Sequence, residues 1–198
     1  MIKLYDLELS GNCHKVRLML SLLRLQYEQI IVDIPNREHK SPQFLKLNPL
    51  GQIPVLTDED VVIRDSQAIL VYLARKYGTE EWLPLEPESM AKVMQWLSFA
   101  ANEINNSVFI ARLHFRFQMD VDWEAAQIRS KPVLQIMNEH LQNRTWLELE
   151  HPTIADIACF PYIGLAPEGK VDLEPYPSVI AWIERIKQLP RYVNMPGL

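Results

Sequence analysis

Apolar and polar positions follow two different patterns along the chain, and the first covers residues 1–77. Short apolar runs typical of strands occur near residues 2–6 and in YEQIIVDI, whereas helical spacing occurs near residues 13–25 and 41–47. Two further β-rich runs in IPVLTDEDVVI flank an acidic turn, which indicates a hairpin, and a helical run follows them. The pattern therefore predicts the order β-α-β-α-β-β-α in an α/β domain.

The helix that ends this part is predicted to start at Ser66, because serine is a favourable N-cap and the residues after it have helical apolar spacing. The segment GTEEWLPLEPES that follows contains a glycine, two prolines and four acids. That composition is typical of a connection. We therefore place a linker at residues 78–88, between a domain of residues 1–77 and a domain of residues 89–198.

The second pattern is helical throughout. Apolar residues recur at spacings of three and four from Val93 to Phe115, and a second helix is predicted from Trp123 to Leu141. Thr153 with Asp156 three residues later forms a capping box that starts a third helix, and a fourth follows Pro177. Residues 89–198 are therefore predicted to form an all-α domain.

Charge and composition exclude several classes of partner. The net charge of −5 and the pI near 5.6 give no basic surface for nucleic acid. No apolar run is long enough for a signal peptide or a membrane span, so we expect a cytoplasmic protein without a membrane partner. The two cysteines, Cys13 and Cys159, and five scattered histidines lack metal-site spacing. We expect neither a metal nor a cofactor.

The turn SGNC joins the first strand to the first helix, and this arrangement is typical of an anion site. One candidate anion is a thiolate, with Ser10 or Asn12 as hydrogen-bond donor and Lys15 as a more distant positive charge. Lowering a thiol pKa by two units takes about 2.7 kcal/mol. One hydrogen bond to a charged group supplies about 1.5 to 3 kcal/mol. The alternative is that Ser10 only caps the helix.

Cys13 is a second candidate for chemistry, since SGNC has the spacing of a C-x-x-C redox pair whose first member is serine. Without that partner no intramolecular disulfide cycle can run. A lone cysteine in the first turn of a helix more often serves in packing, and this interpretation is favoured over a catalytic thiol.

Two further stretches fit a peptide-like ligand. In NPLGQIPVL, a cis Ile53–Pro54 bond would turn the backbone N–H and C=O of Ile53 outward, where an extended peptide can pair with them. The alternative is a trans proline that begins a strand. In RDSQAIL, Ser66 offers donors to a carboxylate and Asp65 a carboxylate to an ammonium group. The alternative there is a helix cap with an acidic neighbour.

The motifs SGNCHKVR, NPLGQIPVL, RDSQAIL and HPTIADIACFPYI, in this order, resemble the cytosolic glutathione transferase superfamily over essentially the whole chain. The resemblance implies a thioredoxin-like N-terminal domain with Pro54 in cis and an all-α C-terminal domain. It also implies a homodimer that uses glutathione as co-substrate in detoxification, with no other cofactor. The opening turn lacks the early tyrosine of some classes. It is closer to the serine-type classes and to a bacterial group that reduces disulfides with glutathione.

The same resemblance assigns roles to residues. Ser10 is expected to activate the thiol, with Asn12 as helper or rival. Ser66 and Asp65 match the positions that hold the γ-glutamyl end, and the backbone of Ile53 matches the partner of the cysteinyl unit. The expected glutathione-binding residues are His39, Lys40, Gln52, Ile53, Pro54, Asp65 and Ser66, and the expected electrophile pocket is Leu7, Phe109, Arg112, Phe115 and Arg116.

Three functions remain open from the sequence. The first is a glutathione transferase that activates the thiol for attack on a small hydrophobic electrophile. The second uses the same site to reduce a disulfide or a peroxide. The third is a non-catalytic interaction module. Because Ser66, Pro54 and the turn hydroxyl are all present, an enzyme is favoured over the module.

Overall fold

The first part of the chain forms a sheet of four strands with three helices. The computed structural model describes all residues from Met1 to Leu198. The order β-α-β-α-β-β-α is confirmed, with a short 3-10 turn at Glu38–Lys40 before the second helix. The elements are β1 (Ile2–Asp6), α1 (Gly11–Leu22), β2 (Tyr27–Ile31), α2 (Pro42–Leu47), β3 (Val55–Asp58), β4 (Val61–Arg64) and α3 (Ser66–Tyr77).

The strands lie in the order β2-β1-β3-β4, with β1 parallel to β2 and antiparallel to β3. Because β1 lies between β2 and β3, alternate residues of this strand, among them Leu4, are buried. The predicted hairpin is confirmed, since Val55 pairs with Arg64 and Asp58 with Val61. The carboxyl end of β1, the start of α1 and the start of β3 therefore come together at one edge of the domain.

The second part is helical, as predicted. Its helices are α4 (Pro87–Phe99), α5 (Ile110–Phe117), α6 (Trp123–Leu141), α7 (Ile154–Gly164) and α8 (Pro177–Lys187), with a 3-10 turn at Ala166–Gly169. The single helix expected from Val93 to Phe115 differs, because residues Ala100–Phe109 have π-helical geometry between α4 and α5. The apolar spacing shows which side of a helix is buried. It does not specify whether each backbone hydrogen bond spans four residues, as in an α-helix, or five, as in a π-helix.

Helix α7 runs through the centre of the molecule and contacts α1 and α3 of the first domain as well as α4 and α8. Its predicted capping box is confirmed: the Thr153 N–H donates to Asp156 Oδ2 at 2.9 Å, and the Ala155 N–H donates to Thr153 Oγ1 at 3.2 Å. Asp156 also accepts a bond from Trp182 Nε1 at 2.9 Å. Burial raises the pKa of this carboxyl. The box therefore fixes the start of α7 against α8 within the helical domain.

Two general features limit the chemistry of the fold. None of its helices combines the length and apolar character needed to cross a membrane. No cluster of three or more histidine, cysteine, aspartate or glutamate side chains is arranged to hold a metal ion.

Candidate functional site

A cleft of about 660 Å³ lies between the two domains, and about half of the residues that line it are hydrophobic. A second hollow, of about 690 Å³, lies around Arg75 and Glu81 and contains none of the predicted site residues. Most of those residues line the cleft instead: Leu7, Ser10, Asn12, Gln52, Ile53, Pro54, Asp65, Ser66, Phe109 and Arg112.

Ser10 is the N-cap of α1, and its Oγ accepts a hydrogen bond from the Cys13 N–H at 3.2 Å. The capping role raised by the sequence is therefore present. Capping does not exclude donation to a thiolate, because the cap uses a lone pair of the Ser10 oxygen and leaves the hydroxyl proton free to be donated. Ser10 is half-buried at the cleft wall, so a ligand can accept that proton.

The side chain of Asn12 is held by two donors. Its Oδ1 accepts from the Lys15 ammonium at 2.9 Å and from the Ser66 hydroxyl at 3.2 Å. The Ser66 hydroxyl also contacts Gln67 Oε1, and its single proton serves one of the two oxygens at a time. Since the Asn12 oxygen is occupied, the two N–H groups of Nδ2 remain as donors for a ligand in the cleft.

Lys15 is buried under this turn, with a relative exposure of 1%. It forms no ion pair within 4 Å, and Asn12 is its hydrogen-bond partner. Its Nζ also lies 5.3 Å from the centre of the Tyr162 ring. Burial lowers the pKa of Lys15 to about 8, so the group remains mostly cationic near neutral pH. A positive charge is thus fixed behind the two candidate donors.

The other basic residue near this turn has a different partner. Arg17 donates to Asp6 Oδ1 at 2.5 Å and to the Leu7 and Glu8 carbonyl oxygens at 3.2 and 2.8 Å. The buried Asp6 carboxylate balances its charge. Of the two cations near the start of α1, only Lys15 lacks an anionic partner.

Tyr162 is a site residue that the sequence reasoning missed. It comes from α7 of the helical domain, and its hydroxyl oxygen accepts from the Asn12 backbone N–H at 3.3 Å. The ring lies directly on Gly11, where a Cβ atom would stand 2.6 Å from Tyr162 Cε1. Burial raises the pKa of this phenol. Tyr162 is the one polar side chain that α7 carries after Asp156, and a buried tyrosine needs a polar partner, which is the signal its sequence context offered.

Neither cysteine is accessible. Cys13 and Cys159 are both fully buried. Burial raises the pKa of each thiol, so neither is a thiolate at neutral pH. The packing interpretation of Cys13 is confirmed.

The start of α3 corrects one prediction. Asp65, rather than Ser66, is the N-cap: its Oδ1 accepts from the N–H groups of Gln67 and Ala68 at 2.9 and 3.0 Å. Aspartate caps as well as serine, and Asp65 does so with a positive φ of 75°. Ser66 becomes the buried first residue of α3, while Asp65 Oδ2 stays free.

The loop before β3 presents a free backbone edge. The Ile53–Pro54 peptide bond is cis, as predicted. Asn48 Nδ2 donates to the Gln52 carbonyl oxygen at 2.8 Å and holds the loop. The backbone N–H and C=O of Ile53 have no partner within the chain. They are therefore available to an extended peptide in the cleft.

His39 and Lys40 do not line the cleft but lie beside its rim. Lys40 Nζ donates to the carbonyl oxygens of Leu50 and Gly51, at 2.9 and 3.0 Å, next to the cleft residue Gln52. His39 Nδ1 is buried without a partner. Burial and the neighbouring Lys40 charge lower the pKa of His39. Their role in binding stays a prediction.

Two residues of the predicted electrophile pocket lie elsewhere. Phe115 packs on Trp123, with ring centres 5.0 Å apart, and Arg116 Nε lies 3.6 Å from Glu168 Oε1. Phe115 and Arg116 follow Arg112 by three and four residues, so helical spacing keeps them on the same side of α5. Their contacts with Trp123 and Glu168 nevertheless leave them outside the cleft lining. The structure brings in residues that the sequence reasoning did not name, among them Leu113, Phe117 and Met119.

Two family models match the chain. The first, "Glutathione S-transferase, N-terminal domain", matches residues 4–81, and the second, "Glutathione S-transferase, C-terminal domain", matches residues 90–190. The disulfide-bond oxidoreductase YfcG of Escherichia coli (strain K12) is 32% identical over 190 residues, which cover 90% of this chain and 87% of that protein. Glutathione S-transferase 1 of Manduca sexta is 30% identical over 205 residues, which cover 98% and 92%. The crystal structure of a glutathione S-transferase from Pseudomonas fluorescens Pf-5 aligns with a TM-score of 0.93 at 36% identity and covers 98% of both chains.

Proposed function

Because the chain belongs to the cytosolic glutathione S-transferase superfamily, we propose that it binds glutathione in the cleft and transfers it to a small hydrophobic electrophile. The observation that carries the proposal is the meeting of Ser10, Asn12 and Ser66 at one wall of the cleft. Donors suited to a thiolate and donors suited to a carboxylate are thus linked through the amide of Asn12.

The proposed binding mode uses the free Asp65 oxygen and the unpaired Ile53 backbone, and it requires the Ser66 hydroxyl to turn from Asn12 and Gln67 to the ligand. The γ-glutamyl carboxylate meets the N-terminus of α3 at Ser66, and the ammonium group meets the free oxygen of Asp65. The cysteinyl unit pairs with the backbone of Ile53, and the glycyl carboxylate extends towards His39 and Lys40. Each charge of glutathione then faces the opposite charge or a suitable dipole.

The thiol is proposed to lie against the opening turn. The Ser10 hydroxyl and the Asn12 Nδ2 group donate to the sulfur, and the Lys15 cation lies behind them. Two hydrogen bonds to a charged atom, at about 1.5 to 3 kcal/mol each, exceed the approximately 2.7 kcal/mol needed to lower a thiol pKa by two units. The turn is therefore sufficient to populate the thiolate at neutral pH.

Transfer then follows ordinary nucleophilic chemistry. The thiol proton goes to solvent, and a sulfur lone pair forms the new S–C bond. In a substitution the leaving group departs with its bonding pair, and in a conjugate addition the displaced π pair takes a proton from water. The apolar body of the electrophile packs on Phe109, Leu113 and Phe117 at the helical side of the cleft.

Disulfide reduction is the second candidate. It is favoured by the fixed Asn12 amide, together with the similarity to a protein named as a disulfide-bond oxidoreductase. The glutathione thiolate attacks one sulfur of the disulfide and releases the other as a thiolate; a second glutathione then displaces the remaining half and yields oxidised glutathione. The two glutathione thiols supply both electrons, since Cys13 and Cys159 are inaccessible.

Calorimetric titration with reduced glutathione tests binding, and mass spectrometry of the products separates the two reactions. A chlorodinitrobenzene substrate gives a thioether if the protein is a transferase, whereas a small dialkyl disulfide gives oxidised glutathione if it is a reductase. The proposed function predicts the thioether. Absence of glutathione binding would overturn both the transferase and the reductase proposals, and a non-catalytic interaction module would remain as the hypothesis.

We also propose a homodimer, as the family resemblance implies. Exposed apolar side chains lie on the edge strand β4 at Val61 and Val62 and on α4 at Met94. Such side chains suit an interface between copies. Light scattering of the purified protein tests this proposal, which a monomer at micromolar concentration would overturn.

A further inference from the structure

Arg112 lines the cleft and carries a donor that has no partner. Its side chain is only 2% exposed, and its Nε donates to Glu168 Oε2 at 2.6 Å. Its Nη2 is buried with no hydrogen-bond partner. The other buried side-chain nitrogens without a partner belong to His14 and His39, and neither residue lines the cleft. A buried donor without a partner requires an explanation, and a bound ligand, ion or water supplies one.

The charge around Arg112 is not balanced. Glu168 also lies 3.6 Å from Arg116, so two arginines share one carboxylate. The one acidic residue that lines the cleft is Asp65, whose Oδ1 caps α3. This corner therefore has an excess of one positive charge, and Arg112 is one of two arginines, with Arg64, that line the cleft.

The surroundings of Arg112 suit an acidic group on an apolar body. Its guanidinium carbon lies 5.1 Å from the centre of the Phe117 ring, and Phe109 and Leu113 line the same wall. Arg112 also acts on the tyrosine that contacts the turn: burial raises the pKa of Tyr162, the Arg112 charge opposes this rise, and the Tyr162 hydroxyl accepts from the Asn12 N–H. The guanidinium is thus within electrostatic reach of the place proposed for the reacting sulfur.

We propose that the second substrate carries a carboxylate that pairs with Arg112 while its apolar body packs on Phe109 and Leu113. The inference rests on the proposed function and names its substrate class. A carboxylate suits this position because its two oxygens match the fork of a guanidinium and supply the missing acceptor.

The carboxylate has two possible sources. It can belong to an acidic electrophile, or to a glutathionyl group that forms half of a mixed disulfide. The chemistry at Arg112 is the same for both, so both kinds of substrate enter the test, each matched with a neutral analogue.

The experiment compares kcat/KM for chlorodinitrobenzene with and without a ring carboxylate, and for an alkyl glutathionyl disulfide against a dialkyl disulfide. We expect the wild-type protein to favour the acidic member of at least one pair by about tenfold or more, as a hydrogen bond to charge implies. Preference in the first pair identifies an acidic electrophile, and preference in the second identifies a glutathionyl group. Equal values in both pairs would overturn the inference.

Two variants assign the preference to its residue. Arg112→Gln should reduce the ratio of acidic to neutral kcat/KM to about one. Arg116→Gln is the matched control, since it removes the other arginine beside Glu168 from the same helix but outside the cleft, and the ratio should persist. If Arg116→Gln also loses the preference for the acidic substrate, the overall positive charge of this region rather than Arg112 is responsible, and the inference fails.

Failure of folding and failure of the proposed function remain distinguishable. If Arg112→Gln does not fold, competition against the wild-type protein by an aromatic carboxylate and by its neutral amide gives the same comparison. Stronger competition by the amide would overturn the inference. If the wild-type protein binds no glutathione, the proposed function fails; if it binds and reacts without acidic preference, only this inference fails.

Discussion

The Lys15 ammonium donates to Asn12 Oδ1 at 2.9 Å, and no carboxylate lies within 4 Å of it. The cation therefore orients a neutral amide instead of neutralising an acid. Since Ser66 donates to the same oxygen, the contact links the proposed thiol site to the proposed γ-glutamyl site. The buried Lys15 therefore fixes the orientation of the two N–H groups on Asn12 Nδ2.

Substitutions in the opening turn separate its two candidate donors. Ser10→Ala should leave glutathione binding largely intact and raise the pKa of the bound thiol, because one hydrogen bond to the thiolate is lost. Thiolate absorbance titrated against pH measures this change. If Asn12→Ala moves the titration and Ser10→Ala does not, Asn12 is the activating donor. Ser10→Ala should also cost about 1 kcal/mol of stability through the lost cap.

Ser66→Ala should weaken glutathione binding by about 1 to 3 kcal/mol, the usual value of a hydrogen bond to a charged group. Calorimetric titration measures the dissociation constant. Ser98→Ala, in an exposed position on α4, is the matched control and should bind normally. An unchanged constant in the Ser66 variant would contradict the assignment of the γ-glutamyl end.

Lys15 should make stability depend on alkaline pH. Its pKa is about 8 in the folded chain and 10.5 ordinarily, so between these values the unfolded chain binds more protons. Stability contributed by this group therefore rises with pH through that window, by about 3 kcal/mol in total. Denaturant unfolding at pH 7, 9 and 10.5 should show the rise in the wild-type protein.

The Lys15→Met variant should lack that alkaline rise, because its side chain does not titrate. It should also raise the pKa of bound glutathione, since the cation behind the turn is gone. Lys131→Met changes an exposed lysine that forms no ion pair and is the control for the general loss of charge. Parallel stability profiles in the wild-type protein and the Lys15 variant would show that Lys15 is not perturbed.

Gly11→Ala should displace the Tyr162 ring, because the new Cβ would lie 2.6 Å from it. We expect a loss of about 1 to 3 kcal/mol of stability, as is usual for overpacking. Urea unfolding measures the loss. Adding Tyr162→Leu should relieve the clash, so the two substitutions together should cost less than their sum. Additive losses would show that the two residues do not compete for space.

Local signals in the sequence predicted much of the fold. The hairpin, the capping box of Thr153 and Asp156, and the bounds Trp123–Leu141 of α6 depend on neighbouring residues, and the structure has all of them. The prediction that Ser66 caps α3 was wrong because Asp65 and Ser66 are neighbours and are equally good caps. Local chemistry did not separate them.

The remaining differences are tertiary. Periodicity shows that α5 is amphipathic, but the rotation of its faces relative to a distant cleft depends on packing, so Phe115 and Arg116 could not be placed. The contact between Tyr162 and Asn12 joins residues 150 positions apart. No pattern along the chain indicates which side chain of a fully buried helix reaches the other domain.

The bond from Asn12 to Tyr162 makes the two domains interdependent. Without α7, the Asn12 N–H would lose its acceptor and the Lys15 cation would lose the ring that covers it. The isolated α/β domain, even if folded, would therefore have a different thiol site from the whole chain. Under the proposed function, activity would then serve as a test of assembly, because the proposed thiol site is complete only when the helical domain has docked. A larger residue at position 11 would need a smaller one at position 162, so this pair is one of the fits that an exchange of domains would have to preserve.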